Sequence, residues 1–312
     1  MSFYFWRTVF SMDSLERATL RANGVHTLYT RYFDVDWPEA GIAPVPVAPL
    51  RFGTPPGGYT IIPVVYIRDR VFEKLSPEKI PAFAAEVFAL VSRIDSSGSL
   101  RPKEIQFDCD WSEGTKDHYF AFLKQYRLLS RQTLSATIRL HQVKYPERTG
   151  VPPVDYGVLM YYNIGHIDTG AGRSIYEKTI AQRYMPALPV YPLTLDIALP
   201  VFSWGLQVRD NKVIRLLDNM NAGNFSADSN FTGAGANRFN AAHACFKSGY
   251  YFRAGDGLKI ESVPPGDLLE MIRSVNRYSN HRIRNLIFYD LDQENLLQYD
   301  KNVFKEILDH TD

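Results

Sequence analysis

The chain has 312 residues, of which 45% are hydrophobic and 22% are charged. This composition is typical of a soluble globular protein and excludes a disordered, collagen-like or coiled-coil chain. The 35 Lys and Arg residues balance the 34 Asp and Glu residues to a net charge of +1, so nothing indicates a nucleic-acid or membrane-surface partner.

No apolar run approaches the ~18 residues that a membrane span needs. The first residues lack the basic start and apolar centre of a signal peptide and are expected to begin a strand, so an exported form would have lost its signal. The two cysteines, Cys109 and Cys245, show no CxxC metal spacing and are too few for a disulfide framework. We expect two buried thiols, with a single disulfide as the alternative.

Eight short runs of apolar, β-branched or aromatic residues recur along the chain, each bounded by turn-forming residues. They lie at residues 3–10, 27–33, 60–67, 104–111, 134–140, 156–162, 193–199 and 285–289. Apolar residues at helical spacing predict helices over 81–94, 116–129 and 265–278. Strands that alternate with helices indicate a parallel sheet. Eight of them, in a chain a little longer than the ~250 residues usual for the class, predict one (β/α)8 barrel over residues 1–312.

Two stretches do not fit a minimal barrel. The proline-rich segment 37–58 follows the second strand, and the segment 219–240, rich in Asn and Gly, lies between the seventh and eighth strands. The turn Gly255-Asp256-Gly257 predicts a hairpin over 249–263. We therefore expect an insertion at 213–264 within the barrel, in which 219–240 is either a lid or a solvent loop without a role.

Two aspartates stand at the end of the fourth strand, and active sites of such barrels lie at the carboxyl ends of the strands. Asp108 and Asp110 alternate with apolar residues, which predicts that both face the barrel interior. Two neighbouring carboxylates repel one another, so one pKa should be raised, as an acid catalyst requires. The alternative is a structural pair bonded to Arg139 or to backbone amides.

The other strand ends supply further candidates for ligand contact. They are Trp6, Arg7, Arg31, Asp34, Asp36, Trp111, Arg139, His141, Gln142, Tyr161, Tyr162, Asn163, Trp204, Tyr289, Asp290 and Asp292. The aromatic members either stack on sugar rings or pack the barrel. No His, Asp or Glu cluster has zinc-site spacing, so no metal or other cofactor is expected, with a composite site of Asp108, Asp110 and His141 as the alternative. No phosphate loop or nucleophile elbow occurs.

An ordered series of strand ends resembles glycoside hydrolase family 18, the chitinase-like barrels. Residues 107–111 resemble the acidic end of that family's fourth strand, which runs D-x-x-D-x-D-x-E. Segments 134–137, 159–163, 197–202 and 288–292 look like its fifth to eighth strand ends, and the series covers about residues 100–295. The chain is also similar to exported barrels of Bacteroidetes, which implies a periplasmic or cell-surface location.

The resemblance implies a mechanism and roles for three residues. A glutamic acid protonates the leaving oxygen while the substrate's own acetamide attacks the sugar carbon, so no cofactor and no enzyme nucleophile are needed. By this resemblance Asp110 would orient the acetamide, Tyr162 would bond its oxygen, and Asp108 would support them.

Four positions depart from the family pattern. Ser112 stands at the position of the acid, Ile105 at the first Asp, Asn163 at the sixth-strand Asp and Tyr289 at the eighth-strand Trp. Serine cannot protonate a glycosidic oxygen near neutral pH. Glu113 follows it, and would face the mouth only if the strand end is bulged.

These observations leave three interpretations open. The first is a glycoside hydrolase on an N-acetylated or complex glycan, with Glu113, Asp110 or Asp108 as the acid. The second is a catalytically inactive protein that binds an oligosaccharide or polysaccharide at the same mouth. The third is other barrel chemistry, including metal-assisted hydrolysis, because a fold alone does not fix a function.

Overall fold

The computed structural model describes residues 1–279, 283–300 and 302–310. A closed barrel of eight parallel strands forms its centre, as predicted. The strands are β1 (Ser2–Phe5), β2 (Thr27–Asp36), β3 (Thr60–Ile67), β4 (Glu104–Asp108), β5 (Thr133–Arg139), β6 (Tyr156–Met160), β7 (Leu195–Pro200) and β8 (Leu286–Tyr289). Each strand pairs with the next in the chain, and β8 closes the barrel on β1, where Phe3 lies beside Phe288.

The predicted strands are all present, and four of them end earlier than expected: the fifth and sixth by one and two residues, the first and fourth by more. The first ends at Phe5 instead of residue 10, because Val9–Phe10 forms a separate short pairing with Arg51–Phe52 in the proline-rich segment. The fourth ends at Asp108 instead of residue 111, because the chain then turns outward toward the next helix. A further short strand, Val45–Val47, pairs antiparallel with the end of β2.

Eleven α-helices occur in the part of the chain that the structure describes. They are α1 (Ser14–Ala22), α2 (Asp69–Lys74), α3 (Ile80–Ser97), α4 (Lys116–Leu129), α5 (Leu140–Lys144), α6 (Pro146–Thr149), α7 (Lys178–Ala181), α8 (Ala222–Ser226), α9 (Pro265–Tyr278), α10 (Gln293–Leu296) and α11 (Val303–Asp309), with two 3₁₀ turns at Pro77–Lys79 and Met185–Val190. Helices α4 and α9 have the predicted bounds, and α3 is longer than its prediction. Among these described residues, no helix is both long enough and apolar enough to cross a bilayer.

The segment between β7 and α9 folds into a five-stranded antiparallel sheet, here called the insertion. Its strands, in spatial order, are Lys212–Asp218, Trp204–Arg209, Gly257–Glu261, Arg238–Ala241 and Phe231–Gly235. A hairpin of Cys245–Lys247 and Tyr250–Phe252 lies outside this sheet. The sheet therefore begins at Trp204, before the predicted start of the insertion at residue 213.

Two expectations within the insertion are wrong. The predicted hairpin over 249–263 does not form, because Tyr250–Phe252 pairs with Cys245–Lys247 and Gly257–Glu261 pairs with strands of the insertion sheet. The segment 219–240 is not a plain solvent loop, since it contains α8 and the strand Phe231–Gly235 and buries Phe225 and Phe231; its role as a lid stays a prediction.

The insertion has a hydrophobic core that is separate from that of the barrel. It contains Leu217, Met220, Phe225, Phe231, Phe239, Ala241, Phe252, Leu258 and Ile260. Both cysteine thiols are free; Cys109 is buried and Cys245 is half-buried. The residues of the insertion therefore pack on one another in a cluster of their own.

The interior of the barrel is polar along β4. Tyr156 donates a hydrogen bond to Glu104, Tyr4 donates one to Gln106 at 2.7 Å, and Thr137 donates one to Asp108. Alternate residues of β4 therefore point inward, with Asp108 uppermost at the carboxyl end, where the mouth of the barrel lies.

Candidate functional site

Asp108 lies buried at the floor of the barrel mouth. Its Oδ1 accepts a hydrogen bond from Thr137 Oγ1 at 2.7 Å. Burial, and next the charge of Asp110, raise the pKa of Asp108 to about 6, although Arg139 and Thr137 oppose the shift. Asp108 is therefore a carboxyl group that can hold a proton close to neutral pH.

Asp110 lies above Asp108 and forms a two-point ion pair with Arg139 at the end of β5. The distances are 2.5 Å from Nε to Oδ1 and 3.1 Å from NH2 to Oδ2. Burial would lower the pKa of Arg139, but the carboxylates of Asp110 and Asp108 raise it above its ordinary value. The positive charge of Arg139 thus compensates the negative charges of the two aspartates. This agrees with the alternative prediction, in which the aspartates form a structural pair bonded to Arg139.

A cavity of about 380 Å³, here called the Arg139 pocket, opens beside this ion pair. It is lined by Asp110, Arg139, Leu140, His141, Tyr162, Asn163, Ile164 and Tyr184. Burial lowers the pKa of His141, and the charges of Asp110 and Arg139 act on it in opposite directions. The pocket therefore combines a fixed carboxylate, a guanidinium, a neutral imidazole and an amide, which together can bond hydroxyl and amide groups.

Aromatic rings at the ends of β1, β6 and β8 pack against one another at the mouth of the barrel. The rings of Tyr162 and Tyr289 stack with centroids 5.5 Å apart, and Trp6 meets Tyr289 edge-on at 5.5 Å. Tyr162 is buried, which raises its phenol pKa well above the ordinary value. Its hydroxyl points to the sulfur of Met160 at 3.4 Å, and the hydroxyl is therefore protonated at any physiological pH.

A second cavity, of about 890 Å³, here called the Trp6 pocket, lies where β1 and β2 end. Its lining residues are Trp6, Arg7, Thr8, Val9, Ser11, Met12, Asp13, Arg31, Asp34 and Gln293. Both arginines are already paired, Arg7 with Glu16 at 2.9 Å and Arg31 with Asp34 at 2.8 Å. This cavity is therefore close to electrically neutral, which suits a neutral ligand.

Asp290 is a third carboxyl at the mouth, after β8. It accepts a hydrogen bond from Asn295 at 2.7 Å. Burial and the nearby Asp292 raise its pKa to about 7, and Arg7 partly opposes this. Asp292 itself caps α10 by accepting from the backbone of Glu294, so it serves the helix.

The position expected for the catalytic acid holds no carboxyl group aimed at the mouth. The Ser112 hydroxyl lies 3.0 Å from the Thr115 hydroxyl, and Thr115 donates to Asp69. Glu113 is exposed and pairs with Arg148 at 3.1 Å on the outer surface. The bulge that would have turned Glu113 inward does not form, because β4 has already ended at Asp108.

Three aromatic candidates for ligand contact lie elsewhere. Trp111 is fully buried outside the barrel, where it stacks on Tyr119 and donates to the carbonyl of Thr149. Tyr161 is also fully buried, against Tyr176. Trp204 begins the insertion and lies 3.4 Å from a carboxylate oxygen of Glu261. Successive side chains of a strand point to opposite faces, so Tyr161 faces outward because its neighbour Tyr162 faces the interior.

Two further polar candidates have local roles outside both pockets. Asp36 pairs with Arg68 and Arg70, and Gln142 is buried and bonds the backbone of Arg139 and Trp111. No group of three His, Cys, Asp or Glu side chains within residues 1–279, 283–300 and 302–310 is arranged to hold a metal ion. The composite site of Asp108, Asp110 and His141 therefore gains no support.

Three residues that shape the site were not among the candidates predicted from the sequence. Tyr184 enters the Arg139 pocket from the 3₁₀ region, Thr137 bonds Asp108, and Asn295 bonds Asp290. Inward alternation along β5 could have identified Thr137, which lies two residues before Arg139. Nothing in the sequence places Tyr184 or Asn295, because Tyr184 lies in a turn and Asn295 in the four-residue helix α10, and neither has a periodic pattern.

No family model matches the sequence, and no curated protein matches it either. Solved structures with a similar fold include the Bacillus cereus spore cortex-lytic enzyme SleL, at 12% identity and a TM-score of 0.58, over 99% of this chain and 73% of that one. A GH18 chitinase from Cycas revoluta, in complex with (GlcNAc)3, shares 11% identity and a TM-score of 0.55, over 99% and 98% of the two chains.

The chitinase-like agglutinin RobpsCRA from Robinia pseudoacacia shares 10% identity and a TM-score of 0.57, over 99% of this chain and 98% of that one. At such low identity these likenesses concern the fold. This chain therefore has a (β/α)8 barrel of the kind found in glycoside hydrolase family 18.

Proposed function

We propose that this protein binds an N-acetylated or complex oligosaccharide at the barrel mouth and does not hydrolyse it by the chitinase route. One observation carries the proposal: Ser112 stands at the position of the acid, and Glu113 is turned outward to Arg148. Without a proton donor at the glycosidic oxygen, the leaving group would depart as an alkoxide, which is prohibitive near neutral pH.

The remaining groups at the mouth suit recognition of a sugar. Asp110 and Asn163 present oxygen and amide groups in the Arg139 pocket, and the half-buried rings of Tyr289 and Trp6 lie next to the buried ring of Tyr162. Sugar rings pack on aromatic faces, and their hydroxyl and acetamide groups need bonding partners that are already held in place. The ion pair with Arg139 holds Asp110 in this way.

A second function, hydrolysis with a different acid, is favoured by the raised pKa values of two carboxyls. Asp108, with a pKa of about 6, and Asp290, with a pKa of about 7, can both be protonated near neutral pH. An acid catalyst needs such a value. Asp290 is the more exposed of the two, since it is half-buried whereas Asp108 is buried.

The similarity to a chitinase-like agglutinin and to a chitinase with bound (GlcNAc)3 makes N-acetylglucosamine oligomers the first ligands to test. The location belongs to the same proposal. The resemblance to exported barrels of Bacteroidetes suggests the periplasm or the cell surface, and fractionation of the source cells with an antibody to this chain would test it.

The test is a panel of chitin oligosaccharides, peptidoglycan fragments and N-glycans, incubated with the protein and followed by mass spectrometry and calorimetry. We expect at least one glycan to bind and all to remain intact. Asp110→Asn should weaken that binding about 10- to 100-fold, because it removes a charged hydrogen-bond acceptor and its partner's compensation. Glu113→Gln is the matched control, since it also removes one carboxylate from an ion pair, and it should bind like the wild type.

Two results would overturn this proposal in different ways. Cleavage that disappears in Asp290→Asn or Asp108→Asn would establish hydrolysis with a different acid. A panel that is neither cut nor bound would remove glycans as the ligand class.

A further inference from the structure

The loop after β6, residues 163–177, here called the pocket loop, forms one side of the Arg139 pocket. It begins with Asn163 and Ile164, which both line the cavity next to Tyr162. It also contains Gly165, Gly170 and Gly172 within ten residues. So many glycines give this loop a large conformational entropy, so contacts from outside must keep it in one conformation.

The base of the pocket loop is closed by two backbone hydrogen bonds. The Asn163 N–H donates to the carbonyl of Ile175 at 2.8 Å, and the Gly165 N–H donates to Ser174 at 3.1 Å. At Gly165 the two arms of the loop touch, since a Cβ there would lie 2.0 Å from the carbonyl oxygen of Arg173. The position of Asn163 in the pocket therefore depends on the far arm of the loop.

The insertion holds that far arm by its backbone carbonyls. Lys259 Nζ lies 2.5 Å from the carbonyl oxygen of Gly172 and 3.5 Å from that of Asp168. Arg238, on the neighbouring strand, donates to the carbonyls of Thr169 and Gly170. Two cationic side chains of the insertion thus bond four carbonyl groups of one loop.

Glu261 completes this contact from the same strand as Lys259. It pairs with Lys259 Nζ at 2.7 Å, and its other oxygen accepts from the N–H and the hydroxyl of Ser174 at 2.7 and 2.5 Å. Burial raises the pKa of Glu261, but the bonds from Lys259 and Ser174 outweigh it and hold the pKa below its ordinary value. The ion pair is 7% and 1% exposed, so removing either partner leaves a buried charge without compensation.

We propose that Lys259, Arg238 and Glu261 are positioning residues that set the ligand affinity of the Arg139 pocket by clamping the pocket loop. The part of this inference that concerns affinity rests on the proposed glycan binding. When the clamp is lost, the loop samples other conformations, and apparent affinity falls in proportion to the fraction of molecules whose pocket is formed. The insertion thus acts on the ligand through the loop.

The test compares wild type with Lys259→Met by hydrogen exchange and by calorimetry with chitotetraose. We expect faster exchange over residues 163–177 and about tenfold weaker binding, within the usual range for coupling between sites. Lys259→Arg should restore most of both, because it keeps the cation. Lys247→Met is the matched control: it breaks a 2.7 Å ion pair with Asp228 inside the insertion, does not touch the loop, and should change neither.

A second variant distinguishes loss of the clamp from unfolding of the whole insertion. Gly165→Ala separates the two arms of the loop and leaves the insertion intact, and it should also speed exchange over 163–177 and weaken binding. Unchanged exchange of the loop in Lys259→Met, or faster exchange without loss of affinity, would overturn the clamp. Failure of the wild type to bind chitotetraose would contradict that ligand alone, and exchange would then decide whether the clamp exists.

Discussion

Asp108 sits beneath an ion pair and has one hydroxyl donor, Thr137, for its buried carboxyl. Its pKa of about 6 in the folded chain exceeds the ordinary 3.8. The folded state therefore binds this proton more tightly than the unfolded state does. Stability from this group is highest below about pH 4, falls as the pH rises from 4 to 6, and stays lower above that.

Asp108→Asn removes this pH-dependent loss of stability. We expect the variant to be more stable than wild type at pH 7 by about 1–3 kcal/mol, since each pKa unit corresponds to about 1.4 kcal/mol. Urea unfolding between pH 4 and pH 7 measures the free energy of unfolding of both proteins. Other carboxyl groups that titrate in this range contribute equally to both, so their contribution cancels in the difference. Asp110→Asn instead loses the ion pair with Arg139, so its free energy of unfolding at pH 7 should not exceed that of wild type. If the free energy of unfolding depends on pH equally in wild type and in Asp108→Asn, the pKa assigned to Asp108 is wrong.

At the scale of elements, two tryptophans that were both predicted to contact a ligand lie in different surroundings. Trp111 is fully buried between α4 and α6, whereas Trp6 is half-buried beside Tyr289. Trp111→Ala should cost about 3–5 kcal/mol of unfolding free energy, as expected for a buried ring. Trp6→Ala should cost clearly less and should weaken glycan binding.

Chemical denaturation and calorimetry on the two tryptophan variants check this assignment. Equal stability losses, or a Trp111→Ala protein that stays as stable as wild type, would contradict the placement of Trp111 in the core. A Trp6→Ala protein with unchanged affinity would remove Trp6 from the ligand site.

The elements that the sequence predicted best are those whose burial is periodic. Helices α4 and α9 alternate apolar and polar faces over several turns, and β3 is bounded by turn residues, so their bounds follow from local pattern. The end of β4 does not, because Cys109 and Trp111 stay buried after the strand stops, and a buried apolar residue looks the same in either setting. The prediction of a hairpin over 249–263 failed for a related reason, since both of its arms pair with strands that lie outside this segment.

At the scale of the whole molecule, eight apolar runs that alternate with helices predicted the barrel and its mouth, and alternation along β4 predicted the inward orientation of Asp108. The pairing of Asp110 with Arg139 was predicted only as an alternative, because two residues 29 positions apart meet only once β4 and β5 are neighbours. The clamp on the pocket loop was not predicted. It joins Lys259 to carbonyls almost 90 residues away, and backbone carbonyls leave no mark in a sequence.

The separate cores of barrel and insertion lead to the last prediction. Phe252 is fully buried in the insertion core, where its ring lies 5.2 Å from that of Phe231. Phe252→Ala should destabilise that core by about 3–5 kcal/mol. Because the pocket loop depends on the insertion, hydrogen exchange should become faster over 204–261 and also over 163–177, while β4 and β5 remain protected.

Phe304→Ala, in the barrel core against Phe3 and Phe288, is the matched control. It should speed exchange in the barrel strands, because its ring packs on both β1 and β8. If Phe252→Ala speeds exchange equally in the insertion and in β4 and β5, then the two cores unfold as one unit and the insertion cannot tune the pocket independently. If exchange instead rises in the insertion and the pocket loop alone, the affinity of the mouth can be changed by substitutions within the insertion while the barrel stays closed.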